Sequence, residues 1–427
     1  MLSKRTVLTL YALGYLGIAI LTQTTVKWYQ YYYTPPALNE HGLEVLVPIA
    51  FVGIAMVIAR IVDGIADPIV AYFSDRSTHP YGRRTPYILH GTVPLVVTFI
   101  LLWFPPFPYE SMFNLIYLTV MLALFFVFFT IVVTPYLALI GELTETKQER
   151  IQLTTMQGIA QVIGVIVAEA GSGMIIAHYG FKVMGIMLGF LSLFVILLTP
   201  LFVKEKSNET TTSYSIVDSL KLTMKNKNFL FYLSFYIAIW FGINSLTIAM
   251  PYMTEILLKK SAETSGLMIG AAFIFALCFS PFIPKIASFM TKKTLLLLTA
   301  SFFALLLALT GLFGTFISYY AAFFIVLLTG IPLSVIFIIP NAMVADIAEH
   351  DSIINGEKRE GMFFGAQGLI IKIVIGLSSL VTPFIFHTFG YSEKDHLGLQ
   401  LIGPISGSLI LFGVWFLSRY DLPDEIR

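Results

Sequence analysis

The segment AMVIARIVDGIADPIVAYFSD, residues 55–75, decides how this chain is read. It is long and apolar enough to cross a bilayer, whose core of about 30 Å asks for roughly 20 apolar residues per helix. Yet it carries Arg60, Asp63 and Asp67 at an i, i+3, i+7 spacing. At about 100° per residue these side chains fall within roughly 60° of one another. They form one charged stripe on an apolar helix. An intramembrane charge costs several kcal/mol, so the stripe must face a protein interior and is a functional candidate. Two carboxylates four residues apart repel unless they share Arg60, share a proton or clamp a small cation. The plainer reading is a structural ion-pair network. Pro68 follows Asp67 directly and is expected to break the helix there, freeing a carbonyl near the carboxylates.

The rest of the chain agrees that lipid is its solvent. Of 427 residues, 57% are hydrophobic and only 12% are charged, with mean hydropathy +0.83. A soluble domain carries about 25% charged residues, so there is too little polar side chain to cover two or three soluble domains. A net charge of +1 gives no global field toward nucleic acid. The single cysteine, Cys278, excludes a disulfide framework. Seven scattered histidines show no metal-ligand spacing. The basic start runs into an apolar stretch too long for a signal-peptide core, and is read as a retained first span.

Apolar runs between polar breaks predict twelve spans, at 7–33, 43–74, 86–105, 113–141, 151–177, 181–203, 229–257, 265–290, 294–316, 319–345, 361–388 and 398–418. A polar stretch interrupts them in the middle. The expected organisation is a six-helix bundle over 1–203, a cytoplasmic linker over 204–228, and a second six-helix bundle over 229–427 with a short tail. Outside the spans, eighteen Lys and Arg fall on one side of the membrane and four on the other. The positive-inside rule puts both termini and the linker in the cytoplasm, with the plasma membrane as the expected location. The outer loops are short, so any function must be built inside the helices.

Away from the span ends few ionisable residues remain: Arg60, Asp63, Asp67, Glu169 and Lys372. Lys27 and Lys285 are expected to snorkel from helix ends. At about 1.5 Å per residue, Asp63 and Asp67 lie roughly 18 and 12 Å in from Asp75. Thr130 and Lys372 each lie about 16 Å in from their own cytoplasmic ends, so all four can share one layer. The five charges sum to −1 if all ionise, which one Na⁺ or H⁺ would neutralise. Glu169, nearer the outer face, and the amides Gln157, Gln161 and Asn244 are substrate-binding candidates; for the amides the plainer reading is an interhelical hydrogen bond. On the cytoplasmic side, Asp75, Arg76, Gly82, Arg83 and Arg84 form a loop cluster whose charges can pair with neighbouring helix ends. An intramembrane enzyme would need a nucleophile–base pair or metal cluster at depth, and none is visible.

The twelve spans, the central linker and the D-R-x(5)-G-R-R loop of Asp75–Arg84 resemble the major facilitator superfamily. Within it, ARIVDGIADPI at 59–69 resembles the second-helix signature of glycoside–pentoside–hexuronide:cation symporters, the melibiose permease group. So do the block PYLALIGELT at 135–144, with Glu142, and the block from Asp346 through Asp351 and Arg359 to Gly361, with Lys372 eleven residues beyond. The resemblance implies an all-α fold of twelve transmembrane helices in two six-helix bundles. It implies a cation site, Na⁺ or H⁺, at Asp63 and Asp67, helped by Thr130, with Arg60 and Lys372 as charge partners. Gate residues would be Asp75, Arg76, Gly82, Arg83, Arg84, Glu142, Arg150, Asp346 and Arg359. Phe337 and Gln367 join the substrate-binding candidates. Where sugar-transporting members place polar or aromatic ligands, this chain has Ile18, Ala19, Val133, Leu137, Gly158 and Phe337. The coupling half of the motif is kept and the galactoside half is not.

The function expected is cation-coupled symport of a sugar or glycoside by alternating access, with no cofactor beyond the coupling ion and no enzymatic activity. The expected partners are a small-molecule substrate and the bilayer, not nucleic acid, and the expected state is a monomer. A lysophospholipid or other amphipathic cargo is the alternative, since lysolipid symporters share this fold branch. A non-transporting receptor is a remoter one.

Overall fold

The computed structural model describes residues 4–37, 39–77, 79, 81–144, 146–203, 223–355 and 360–421. Among these the chain is built of helices: α1 Lys4–Tyr33, α2 Ile49–Asp75, α3 Thr85–Leu101, α4 Met112–Leu143, α5 Lys147–Ile166, α6 Ser172–Phe202, α7 Lys227–Tyr252, α8 Thr264–Phe279, α9 Lys292–Thr310, α10 Tyr319–Leu328, α11 Gly330–Asn355, α12 Glu360–Phe389 and α13 Leu397–Leu417. In hydrocarbon no water can satisfy a bare amide, so each crossing segment closes its hydrogen bonds within itself. Starts are marked by polar caps. Ser111, Thr146, Asn226 and Thr291 each accept a hydrogen bond from a backbone N–H two or three residues on.

Helix boundaries and membrane crossings do not coincide one to one. The fifth crossing runs through α5, a π turn at Val167–Gly171 and the first residues of α6. The sixth begins inside α6, where Gly180 has φ 79° and ψ 175°. That conformation is nearly closed to residues with a Cβ, and it divides α6 into the end of one span and the whole of the next. In the other half, α10 and α11 form one long apolar stretch from Tyr319 to Ile354. Ten helical stretches among the described residues are long and apolar enough to cross, one of them, Gln148–Phe202, holding two spans; the shorter α3 completes the twelve.

The expected break at Asp67-Pro68 is corrected. α2 continues through Pro68 to Asp75. Proline inside a membrane helix removes one hydrogen bond, and neighbouring helices hold the segment in line. α2 does so against α4.

The chain divides into two compact units. Unit 1 comprises Met1–Thr210 together with Ser261–Gly270; unit 2 comprises Thr211–Lys260 and Ala271–Arg427. In unit 1, α2 lies along α4, α3 packs on α4 and α6, and α1 packs on α5 and α6. In unit 2, α13 packs on α7 and α9, and α12 on α7. Most of the linker expected at 204–228 lies outside the described residues.

Candidate functional site

The charged stripe of α2 meets a matching stripe on α4. Phe126 and Thr130 are four residues apart, one above the other on a single helix face. The Thr130 hydroxyl donates to Asp63 Oδ1 at 2.6 Å, and Asp67 Oδ1 stands 3.1 Å from the same oxygen. One turn away, the Arg60 guanidinium lies over the Phe126 ring, 3.8 Å from its centroid. Its Nη1 donates to Asp63 Oδ2 at 3.3 Å. Asp63 is fully buried and Thr130 nearly so, while Asp67 is half-buried.

Burial of this kind is tolerable only because each charge has company. Arg60 gains one carboxylate and one aromatic face, the cation–π contact adding attraction in a desolvated setting. Asp63 accepts from both Arg60 and Thr130. The cluster still carries two carboxylates against one guanidinium. Three oxygens gather here, the Thr130 hydroxyl lying within hydrogen-bonding reach of one oxygen from each of Asp63 and Asp67. All are hard ligands, suited to a proton or a small cation rather than to a soft metal. Among the described residues, no group of three or more His, Cys, Asp or Glu gathers as a metal centre would.

Other candidates are placed differently. Glu169, a substrate-binding candidate from the sequence, is 2.8 Å from the Lys27 ammonium, with both side chains buried. Lys27 does not snorkel. Its Nζ also donates to the Glu169 carbonyl at 3.0 Å, an oxygen within the π turn where the regular ladder is displaced. The charge count changes accordingly: with Lys27 included the interior charges sum to zero, Lys27 and Glu169 cancelling each other, while the Arg60, Asp63 and Asp67 cluster by itself carries −1. Gln157 is buried on α5 and Gln161 is exposed there. Asn244 ties α7 to α12, its amide donating to Ser378 Oγ at 2.6 Å and Ser379 Oγ at 3.4 Å. Gln367 donates to Asn341 Oδ1 at 3.4 Å. Phe337 packs edge-on against Trp240, centroids 5.8 Å apart, and near Phe273. Lys372 is half-buried on α12 in unit 2.

The loop cluster of unit 1 is ordered by Glu142. This buried carboxylate stands 2.9 Å from Arg83 and 3.0 Å from Arg84. Arg84 also donates to the Ala138 carbonyl, so a cation sits at the C-terminal turn of α4, where the helix dipole favours it. Gly82, at φ 110°, makes the turn that aims both arginines at α4. Arg76 is exposed and stacks on Tyr72, 3.9 Å from its centroid. Arg150 is exposed on α5. In unit 2, Asp346 pairs with Lys292 at 2.6 Å. Arg359 and the Asp75 side chain lie outside the described residues.

Sequence reasoning did not find Phe126, the burial of Lys27, or the pair of His41 with Glu263. The spacing of Phe126 to Thr130 was the available signal for the first. The other two rest on partners more than a hundred residues away.

Twelve crossings, with two carboxylates and a guanidinium clustered inside unit 1, define a multi-pass membrane protein. A family model described as MFS/sugar transport protein matches residues 10–422. The chain belongs to this family, and it is a multi-pass membrane symporter of the major facilitator fold. Among its relatives, the uncharacterized symporter YnaJ of Bacillus subtilis is 25% identical over 89% of this chain and 82% of its own length. The putative glycoside/cation symporter YagG of Escherichia coli is 22% identical, over 95% and 87%. The sodium-dependent lysophosphatidylcholine symporter 1 of Gallus gallus is 20% identical, over 88% and 80%. The crystal structure of nucleoside transporter NupG superposes with a TM-score of 0.69, covering 97% of this chain and 99% of that one at 13% identity. That likeness concerns the fold alone.

Proposed function

We propose that this protein couples movement of a sugar or glycoside to that of a cation, Na⁺ or H⁺, by alternating access. It works as a monomer in the plasma membrane with both termini cytoplasmic, and the halves 1–203 and 229–427 alternate about the linker 204–228. Asp63 and Asp67 hold the ion with Thr130, Arg60 sets the local charge, and Lys372 is the further charge partner in this reading. The observation that carries this reading is the convergence of the two carboxylates on the Thr130 hydroxyl, in a cluster with one guanidinium. An ion entering there relieves repulsion between like charges. Coupling follows if the state that admits substrate binds the ion more tightly than the state that does not. Arg83, Arg84 and Glu142, with Asp75, Arg76, Gly82, Arg150, Asp346 and Arg359, act as the cytoplasmic gate in this reading. Gln157, Gln161, Glu169, Asn244, Phe337 and Gln367 remain candidates for substrate contact, although Glu169 and Asn244 already have intramolecular partners.

The alternative cargo is a lysophospholipid. Ile18, Ala19, Val133 and Leu137 stand where sugar transporters place polar ligands, and a pocket without those groups forfeits hydroxyl recognition. The glycoside relative and the family description favour the sugar reading; the lysophosphatidylcholine relative supports the second.

The test is accumulation in proteoliposomes under an imposed ion gradient. Asp63→Asn and Asp67→Asn should each abolish gradient-driven accumulation. Uptake that stays gradient-driven in both variants would remove the cation site from these residues.

A further inference from the structure

A second set of charges in unit 1, separate from the Asp63 and Asp67 cluster, comprises Lys27 near the end of α1, His41 in the loop that follows it, Glu169 in the π turn after α5 and Glu263 just ahead of α8. Residues Ser261–Gly270, which include the first turns of α8, pack into unit 1 rather than unit 2. Their seat is unusually close. A Cβ at Gly266 would stand 2.0 Å from the Glu169 carbonyl oxygen and 2.8 Å from the Lys27 ammonium. A Cβ at Gly173, in the first turn of α6, would stand 2.9 Å from the Glu263 carbonyl. Gly266 and Gly270 are spaced as G-x-x-x-G, the pattern by which small residues let helix backbones approach in lipid.

Two ion pairs frame this seat. Lys27 and Glu169 form its buried floor. At its rim, His41 from the α1–α2 loop pairs with the Glu263 carboxylate, His41 being 22% exposed and Glu263 6%. The groups that act on Lys27 are Glu169 and Glu263, and those that act on Glu263 are His41 and Ser261. Burial works against ionisation of Glu263, but hydrogen bonds from His41, its own backbone and Ser261 outweigh it and hold the carboxyl below the usual range. Glu263 is therefore an anion throughout the neutral range. An imidazole, by contrast, is the side chain that ordinarily changes charge between about pH 5 and 8.

We propose that His41 and Glu263 form a proton-binding site, distinct from the carboxylate cluster, that latches Ser261–Gly270 onto the α1–α2 loop within unit 1. The proton comes from the side of the membrane that the α1–α2 loop faces. With His41 protonated, the rim contact is a charge-assisted hydrogen bond between ions. With His41 neutral, one of the two charges is gone and the hold weakens. The latch tightens as the pH falls through the imidazole range and slackens as it rises. Below the depressed Glu263 value the carboxylate is itself protonated and the contact fails again, so the grip is strongest in mild acid.

Hydrogen–deuterium exchange of Ser261–Gly270 in the full chain, reconstituted in nanodiscs, reads the latch without reference to uptake. This readout fails or succeeds independently of the transport reading. Corrected for intrinsic exchange rates, the segment should open about tenfold less often at pH 6 than at pH 8, the scale of one hydrogen bond to a charged group. In His41→Gln and in Glu263→Gln that pH response should vanish. A wild-type segment with equal protection at both pH values would overturn the proposal. So would a response that persists in either variant.

Discussion

Thr130 shows how one side chain organises a charged site in lipid. Its hydroxyl has a single proton and stands within reach of two carboxylate oxygens. It can donate to only one of them at a time, and an arriving cation would draw on all three oxygens together. Thr130→Val keeps the shape of the side chain and removes the oxygen. Loss of a hydrogen bond to a charged group costs about 1.5–3 kcal/mol. The ion concentration for half-maximal uptake should rise about tenfold or more, the factor that corresponds to about 1.4 kcal/mol. Exchange of substrate without a gradient should survive. An unchanged ion requirement would take Thr130 out of the site. Depth along the helices puts Thr130 in one layer with Asp63 and Asp67, and the structure brings all three into contact. Lys27 shows the reverse. Its position near a helix end suggests snorkelling, and only the π turn carrying Glu169 explains how an ammonium can lie fully buried.

At the scale of an element, the backbone settles what hydrophobicity leaves open. Residues 148–202 form a single apolar helical stretch, and the expected spans 151–177 and 181–203 leave open how the backbone turns between them. Gly180 makes that turn, through a conformation almost reserved for glycine. A Cβ at this position would meet no atom within 4 Å, so a substitution there tests backbone strain alone. Gly180→Ala should lower unfolding stability in detergent by about 1–3 kcal/mol, read as an earlier denaturation midpoint. A midpoint equal to wild type would mean the turn is set by something other than glycine's freedom. Pro68 teaches the complementary lesson. Proline usually marks a helix end in a soluble chain, but α2 passes through it, because in hydrocarbon an interrupted backbone has nowhere better to go.

At the scale of the whole molecule, the open quantity is the cargo. A ligand that binds the folded state raises stability by mass action, about 2.7 kcal/mol when present at one hundred times its dissociation constant. Thermal unfolding in the presence of sugars, glycosides and lysophospholipids, each with and without Na⁺, reads this directly. The proposed function predicts that a sugar or glycoside raises the midpoint, and that the coupling ion enlarges the shift. Stabilisation by lysophospholipids alone would transfer the assignment to the amphipathic cargo.

Composition and pattern alone established the class of this protein: too little charge for a water-facing surface, twelve apolar segments, and a charged stripe that no lipid-facing helix could carry. Those properties are local, written in segments of about twenty residues, and the bilayer enforces them segment by segment. What the tertiary structure decided is partnership. It set Arg60 on Phe126, Thr130 on two aspartates, Glu169 on Lys27 and Glu263 on His41. In a soluble protein, alternation of polar and apolar residues reveals which helix face is inside. Here both faces are apolar, one against lipid and one against protein, so the pairing of helices has no signature along the chain and emerges only when they pack.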